Sequence, residues 1–471
     1  MILVAVMVVI ALGAMVAAAA LFRVRAEHAA GVAITDGRHA RQAAFAGVDR
    51  AIALLEQSAD DPLTWQDDPD VFKDQLVTAD GRDEWYFTVY APGGDDPTLP
   101  RNGVIDEAGK INLNAADAET LEAMLQQHTD VDVMVDSLLD YIDRDDETRP
   151  NGAEQDYYDA LPTPFLARNM PQIRTVEELL LVHGFSARVV YGEDHNLNGL
   201  LDASEDDRDA SFPFGDNGDG MLDRGLLGLA TAHSYEYDVD NRGRKRTPVN
   251  GTGSLTKAGL PKKTVEFIEA LRKDKVKVAH PAELLNMTHR TKITEKRWVG
   301  RRRRRRQVTV TEWKTLESGV GAAQLADVLD KLTARDGKGR QRVVGLVNVN
   351  TASPEVLACL PEIDEELAAR IVDARLNLTP EDAATIAWLY TSGVMDEATF
   401  KAVAPRLTAR SFQYRIRSVG FGNPCGRYCV LEAVVDFAGK KPTIVYLRDL
   451  TRLGLPFAVD AELIQTTGGS Y

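Results

Sequence analysis

Residues 1–22, MILVAVMVVIALGAMVAAAALF, carry no charged side chain. At ~1.5 Å of rise per residue, a helix over this run spans a hydrocarbon layer of about 30 Å. A cleaved secretory signal starts basic, has a shorter apolar stretch and ends in a small-residue cleavage site. The run therefore predicts a retained membrane anchor. Helical spacing continues through the next thirty-odd residues, with Phe45, Val48, Ile52 and Leu55 on one stripe, so the helix is expected to reach about Gln57. Arg23 and Arg25 follow the apolar run and no basic residue precedes it. That order is the wrong way round for an anchor with a cytoplasmic start, so the natural reading frame is expected to begin earlier.

Periodicity then changes from helical to alternating. In WYFTVY, Trp85, Phe87 and Val89 mark one face of a half-buried strand. Near the other end, SFQYRIRSVGF sets Phe412, Tyr414 and Ile416 against Gln413, Arg415 and Arg417. YCVLEAVVDF and TIVYLRDL follow, separated by AGKKP, as in an antiparallel meander. Sheet thus brackets a middle dominated by helical patterns.

That middle holds an internal near-repeat. KINLNAADAETLEAML aligns with LVNVNTASPEVLACL so that Asn112 and Asn114 match Asn348 and Asn350. Each copy turns from an extended Asn-x-Asn into a helix. Asp117 and Ser353 are the expected caps, Pro354 occupies a first helical position, and Glu119 and Glu355 lie at the positive helix end. The element resembles the opening of a helix-hairpin-helix unit. Sequence-independent DNA binding by such units relies on glycines that let backbone amides approach a phosphate. Here Glu362 and Asp364 stand where those glycines would be, which favours a structural role.

Between the copies lies an acidic segment with ten acidic residues from Glu193 to Asp223 against Arg208 alone. Within it Asp194, Asn196, Asn198, Leu200, Asp202 and Glu205 hold positions 1, 3, 5, 7, 9 and 12 of an EF-hand-type loop, with Gly199 at the sharp turn. Alternate residues of a tight loop face one ion, and the last carboxylate binds it bidentately. A second, irregular loop offers Asp216, Asn217, Asp219 and Asp223. Structural Ca2+ is the expected cofactor, since unneutralised carboxylates at this density repel one another.

The net charge of −16 argues against nucleic acid as the main partner. Six consecutive arginines, Arg301 to Arg306, run against that balance and are expected in an exposed loop. Only three cysteines occur. Cys425 and Cys429 could bridge a hairpin in an oxidising compartment or remain as thiols. HExxH, GxSxG and Walker phosphate-loop patterns are absent, and the eight histidines show no metal-ligand spacing. No enzymatic activity and no small-molecule substrate are expected.

A long N-terminal helix, membrane-embedded and then amphipathic, resembles the pilin and pseudopilin superfamily. Most pseudopilins have a glutamate at the fifth mature position, whereas the first acidic residue here is Glu27; subunit K of type II secretion systems is the member that lacks it. VDSLLDYIDRDDETRPNGAEQDYYDALPTPFLARNMPQIRTVEELLLVHGF closely resembles the signature of that subunit. The matching residues are Asp143, Asp145, Asp146, Gly152, Ala153, Glu154, Tyr157, Tyr158, Asn169, Glu178, Leu179 and Gly184, the last three in an expected helix. Catalysis by these carboxylates would require a cleft that separates their pKa values; capping, turns or cation binding suit so polar a run better.

The resemblance implies an α+β fold: a long membrane-spanning helix, a pilin-like helix-plus-antiparallel-sheet domain and a large inserted all-α domain of helix-hairpin-helix or SAM-like type. The expected division is an anchor at 1–22, the long helix and first strands at 23–107, a helical insert at 108–192 and calcium loops at 193–224. Return strands and a helix follow at 225–285, then a basic, partly disordered insertion at 286–345. A second helix-hairpin-helix-like unit at 346–408, a C-terminal sheet at 409–455 and a tail at 456–471 complete it. The function implied is a minor pseudopilin at the pseudopilus tip, in the inner membrane with its soluble part periplasmic. Its implied partners are the I- and J-type minor pseudopilins. The alternative is a membrane-tethered DNA-uptake protein built on the two near-repeats and the arginine run.

Overall fold

A computed structural model describes residues 2–59, 61–93, 96–167, 172–208, 210–211, 215–299, 306–335 and 341–459. One helix runs from Ile2 to Ser58, uninterrupted because no proline occurs before Pro62. Residues 2–31 are exposed along their whole length, and the most apolar 18-residue window has a mean hydropathy of 2.9. This half is long and apolar enough to cross a membrane.

The second half packs on the sheet, but not through the expected stripe. Val48 and Leu55 are buried, whereas Phe45 and Ile52 are only half-buried. Ala40, Ala43, Ala44, Gly47 and Ala51 supply the rest of the buried face. Small residues are required because helix and strand backbones nearly touch. A Cβ on Gly420 would lie 2.1 Å from the Ala40 carbonyl oxygen and 2.2 Å from the Ala44 nitrogen, and one on Gly47 would lie 2.2 Å from Ser418 Oγ. Hydrophobic periodicity marks bulky residues and so overlooks an interface made of alanine and glycine.

The described residues build a six-stranded sheet in the order Gln75–Ala79, Glu84–Tyr90, Gln413–Asn423, Tyr428–Asp436, Thr443–Asp449, with Ile105–Asp106 also paired to the central strand. All pairings are antiparallel. The sequence gives Glu84–Tyr90 one buried face, yet Trp85 to Tyr90 are all buried. Beyond the helix, Tyr86 and Tyr90 join Val419, Phe421, Val430 and Leu450, and Phe457 and Val459 close over them. Part of the expected tail therefore packs.

Residues between the two halves of the sheet share one apolar core from Ile111 to Leu407, so the two near-repeats belong to a single unit instead of separate ones. The insert is not all-α. Its helices are tied by short two-stranded pairs: Ile111–Asn112 with Ala230–Thr231, Tyr235–Tyr237 with Arg342–Val344, Thr247–Pro248 with Leu332–Thr333 and Val347–Asn348 with Leu407–Thr408. Where disorder was expected, Thr288–Val299 and Arg306–Glu317 form a twelve-residue antiparallel ribbon. Both strands are rich in β-branched residues, with Thr294 Oγ1 3.2 Å from Thr311 Oγ1. Arg290 and Lys292 lie over the exposed Trp313 ring, 5.2 Å and 5.0 Å from its centroid. Arg306 begins the second strand, while Arg301 to Arg305 fall outside the described residues.

Candidate functional site

The polar face of the central strand is covered by the insert. Arg417 and Glu432 are paired across the two neighbouring strands, with Arg417 Nε 2.8 Å from Glu432 Oε2. Arg415 Nη1 donates to Glu432 Oε1 at 2.7 Å and its Nε to Glu107 Oε1 at 2.6 Å. Glu107 also accepts from Thr231 Oγ1. Lys110 Nζ donates to the Leu227 carbonyl at 2.6 Å. Burial opposes the ionisation of Glu107, but Arg415 and Lys110 outweigh it and hold the carboxyl down at about 2. Glu432 is likewise held at about 2, because Arg415 and Arg417 outweigh its burial. Burial pushes the Lys110 ammonium down to about 7.

A carboxylate whose folded pKa lies below its ordinary value stabilises the fold above that ordinary value and ceases to do so as pH falls through the folded one. The contribution of Glu107 and Glu432 is therefore expected to be intact above pH ~4.5 and to disappear progressively toward pH 2. Urea unfolding followed from pH 6 to pH 2.5 should show this decline. Replacing Glu107 by glutamine should flatten part of it.

Glu107 and Asp106 join the sheet to both near-repeats. Asp106 Oδ2 accepts from Asn348 Nδ2 at 3.0 Å and from Thr351 Oγ1 and Ser411 Oγ. The expected equivalence of the copies shows in matching asparagine bonds. Asn112 Oδ1 accepts from the Asn114 amide at 2.9 Å, and Asn348 Oδ1 from that of Asn350 at 3.0 Å. Asn114 Nδ2 donates to the Ile173 carbonyl at 3.0 Å, and Asn350 Nδ2 to that of Ala383 at 2.9 Å. Asp117 and Ser353 are the caps of their helices, and Leu121 and Leu357 are buried below them. In the second hairpin Glu362 has φ of +68°, the left-handed geometry that glycine favours. Asp364 caps the next helix through the Leu367 amide at 2.8 Å. Both carboxylates thus occupy the turn that a phosphate would approach.

Hydrogen bonds within the regular acidic loop close it on itself. Asn196 and Asn198 both donate to Asp202 Oδ2, at 2.6 Å and 3.0 Å. Asp194 Oδ2 accepts from the Gly199 amide at 3.0 Å, and Gly199 has φ of +75°. Glu205 accepts from the amides of His195 and Asp202, at 3.1 Å and 3.2 Å. Asp194 Oδ1 is buried with no hydrogen-bond partner, and burial raises the pKa of both Asp194 and Glu205, the latter to about 7. An enclosed oxygen without a partner and an oxygen-only donor set fit a calcium ion. Leu200 is buried beside them. The loop docks on the sheet through Arg417 Nη1 to the Asn198 carbonyl at 3.3 Å, and on residues 450–459 through Asn198 Nδ2 to the Pro456 carbonyl at 3.0 Å.

The second loop is looser. Asp216, Asn217 and Asp219 each accept from the amide two residues on, and Asp223 from that of Gly225. Asn217 and Asp219 are exposed. What holds this loop is Glu193, 1% exposed, which accepts from the amides of Asn217 at 3.2 Å and Asp223 at 3.3 Å. The sequence reading missed Glu193, because it lies immediately before position 1 of the regular loop.

The signature residues gather around one helix end. Tyr158 is fully buried and stacks edge-on with Tyr141 and Tyr157. Ala153 and Leu179 are buried, Gly184 has φ of +87°, and Asp145 accepts from the Glu147 amide at 3.0 Å. Asp146 is exposed. Glu178 accepts from the Arg174 amide at 3.0 Å. Residues Val176–Leu181 form a 3-10 helix. Asn169 lies outside the described residues.

Cys425 and Cys429 are unbridged. Cys425 lies in the turn over Gly422, whereas Cys429 is on the next strand, paired with Gly420 and receiving a 3.5 Å contact from Thr451 Oγ1. Their sulfurs thus have different surroundings.

Two family models described as Type II secretion system (T2SS), protein K match the chain, over residues 103–191 and 347–387. Over these two segments the chain is similar to the type II secretion system protein K family. The first match runs from the Glu107 joint through the signature, and the second covers the second near-repeat with its capped hairpin. These matches support a minor pseudopilin with a role in secretion, and among the described residues one helix, Ile2–Ser58, is long and apolar enough to cross a membrane. No curated protein matches the chain significantly. Among solved structures, a chain of the GspK-GspI-GspJ complex from the enterotoxigenic Escherichia coli Type 2 Secretion System is 13% identical, with a TM-score of 0.38. The alignment covers 91% of this chain and 99% of that one.

Proposed function

We propose that this protein K-type subunit caps the pseudopilus tip as a non-enzymatic assembly element. Its soluble part would lie in the periplasm, in complex with I- and J-type minor pseudopilins. The observation that carries this reading is the fixed seating of a bulky insert on the pilin-like sheet by the buried Glu107–Arg415–Glu432–Arg417 network. Such an insert adds bulk that a growing filament cannot accept above it, so the subunit ends a stack instead of extending it. Co-expression with I- and J-type minor pseudopilins from one system, followed by detergent extraction and affinity capture of this chain, tests the proposal. Recovery of both in fixed ratio is expected; capture of neither overturns it.

Calcium acts in this proposal as a structural staple at Asp194, Asn196, Asn198, Leu200, Asp202 and Glu205, with Asp216, Asn217, Asp219 and Asp223 as a second acidic loop. An ion bound only by the folded state stabilises it by about 2.7 kcal/mol at a hundredfold excess over Kd. Removing calcium with a chelator is expected to lower the melting temperature. Glu205→Gln should abolish most of that calcium-dependent shift while leaving the chelated protein's melting temperature nearly unchanged.

A further inference from the structure

A second group of carboxylates lies apart from the acidic loops, where the helix Val131–Ile142 ends and the short helix Gln155–Asp159 begins. One oxygen each from Asp140, Asp143 and Glu154 lie within 4.8 Å of one another. That span is no wider than two calcium–oxygen bonds of ~2.4 Å placed end to end. One ion therefore reaches all three.

The cluster is enclosed. Asp140 is 1% exposed and Glu154 6% exposed. The chain closes tightly over Asp140, whose Oδ2 accepts from the Arg149 amide at 3.1 Å. A Cβ on Gly152 would lie 1.9 Å from that oxygen. Glycine at 152 is therefore a condition for bringing Glu154 over the helix end.

Among the described residues, Arg149 is the cation that contacts the cluster. Its Nη1 donates to Asp140 Oδ1 and to Asp143 Oδ2, the latter at 2.7 Å. Three carboxylates against one guanidinium leave two negative charges uncompensated. The remaining oxygens show where the deficit lies: Asp143 Oδ1 and Glu154 Oε1 are both buried and have no hydrogen-bond partner. Buried polar atoms are otherwise almost always satisfied, and an unpaired buried charge is costly. Burial, and then the charges of Asp140 and Asp143, push the Glu154 carboxyl up to about 7.

We propose that Asp140, Asp143 and Glu154 bind one divalent cation through carboxylate oxygens, distinct from the ions of the acidic loops. The donor set contains neither sulfur nor imidazole, which disfavours zinc and other transition metals. Calcium fits better than magnesium, because it tolerates irregular oxygen geometry and parts with its water more readily. Arg149 holds Asp140 and Asp143 in place through its guanidinium. The ion would fasten the end of one helix to the start of the next and fix the Tyr141–Tyr158 ring pair between them. A proton shared by Glu154 and Asp143 is the competing way to relieve the same charge.

The test uses the full chain in detergent, stripped with a chelator and dialysed against micromolar calcium at pH 7.5, with bound calcium counted by mass spectrometry. Glu154→Gln and Asp143→Asn are each expected to bind one ion fewer than the parent. Glu205→Gln should keep this ion and lose a loop ion, and Glu154→Gln combined with Glu205→Gln should lose both. Equal calcium content in parent and Glu154→Gln overturns the proposal in favour of the shared proton. Near-UV dichroism of the tyrosines shows whether each variant is folded. If neither signature variant folds, an anomalous-scattering map of parent crystals grown with calcium decides: a peak among the three carboxylates is expected, and its absence contradicts the site.

Discussion

Arg415→Met is expected to cost about 3–5 kcal/mol of folding stability, the range for removing one partner of a buried ion pair. Its side chain is 11% exposed and touches two carboxylates, Glu107 at 0% and Glu432 at 4%. Methionine fills much of the same volume but leaves both acids in a low-dielectric setting, facing one another across the space the guanidinium occupied. Arg417 reaches Glu432 but has no bond to Glu107 among the contacts described, so Glu107 suffers most. The double variant Glu107→Gln with Arg415→Met should be more stable than Arg415→Met alone, because the orphaned charge is gone. A double-mutant cycle in urea measures that recovery. Additive losses would show that the two side chains act independently and that the insert is seated by other contacts.

Gly420→Leu is expected to be comparably damaging, by more than ~3 kcal/mol, at the upper end of what overpacking costs. The atoms its Cβ would strike are the Ala40 carbonyl oxygen and the Ala44 nitrogen, which belong to the helix backbone and cannot rotate away. Relief requires lifting the long helix off the central strand, separating the buried face from Ala40 to Leu55 from the sheet. Gly37→Ala is the contrasting change. Nothing lies within 4 Å of its Cβ, so helix propensity alone acts and a gain of ~0.5–1 kcal/mol is expected. Chemical denaturation of the two variants should move in opposite directions.

Features written in strict spacing were legible without the structure. The 57-residue helix was readable because nothing interrupts it. The near-repeat followed from Asn112, Asn114, Asn348 and Asn350, whose side chains make matching bonds in both copies. Alternation located the strands at Glu84–Tyr90 and Gln413–Asn423. What alternation could not give was the cover on their second face. Arginine is normally exposed, and nothing local marks Arg415 as buried; its partner Glu107 lies more than 300 positions away in the chain. The expected stripe of Phe45, Val48, Ile52 and Leu55 left out the alanines and Gly47 of the helix–sheet contact, because close backbone approach selects residues without bulk. Glu193 was hidden by its place beside Asp194, and its role arises only when the second loop folds back onto it. In the signature, the pattern identified the family, while pairing Asp140 with Asp143 and Glu154 required the turn at Gly152.

The central claim is that this chain is a minor pseudopilin of a type II secretion system. Its most direct test is secretion itself, in the organism that carries the gene, with the chain deleted and then restored. Deletion is expected to leave the system's substrates in the periplasm while their synthesis continues, and restoration of the intact chain to return them to the medium. Undiminished substrate in the medium after deletion would contradict the account.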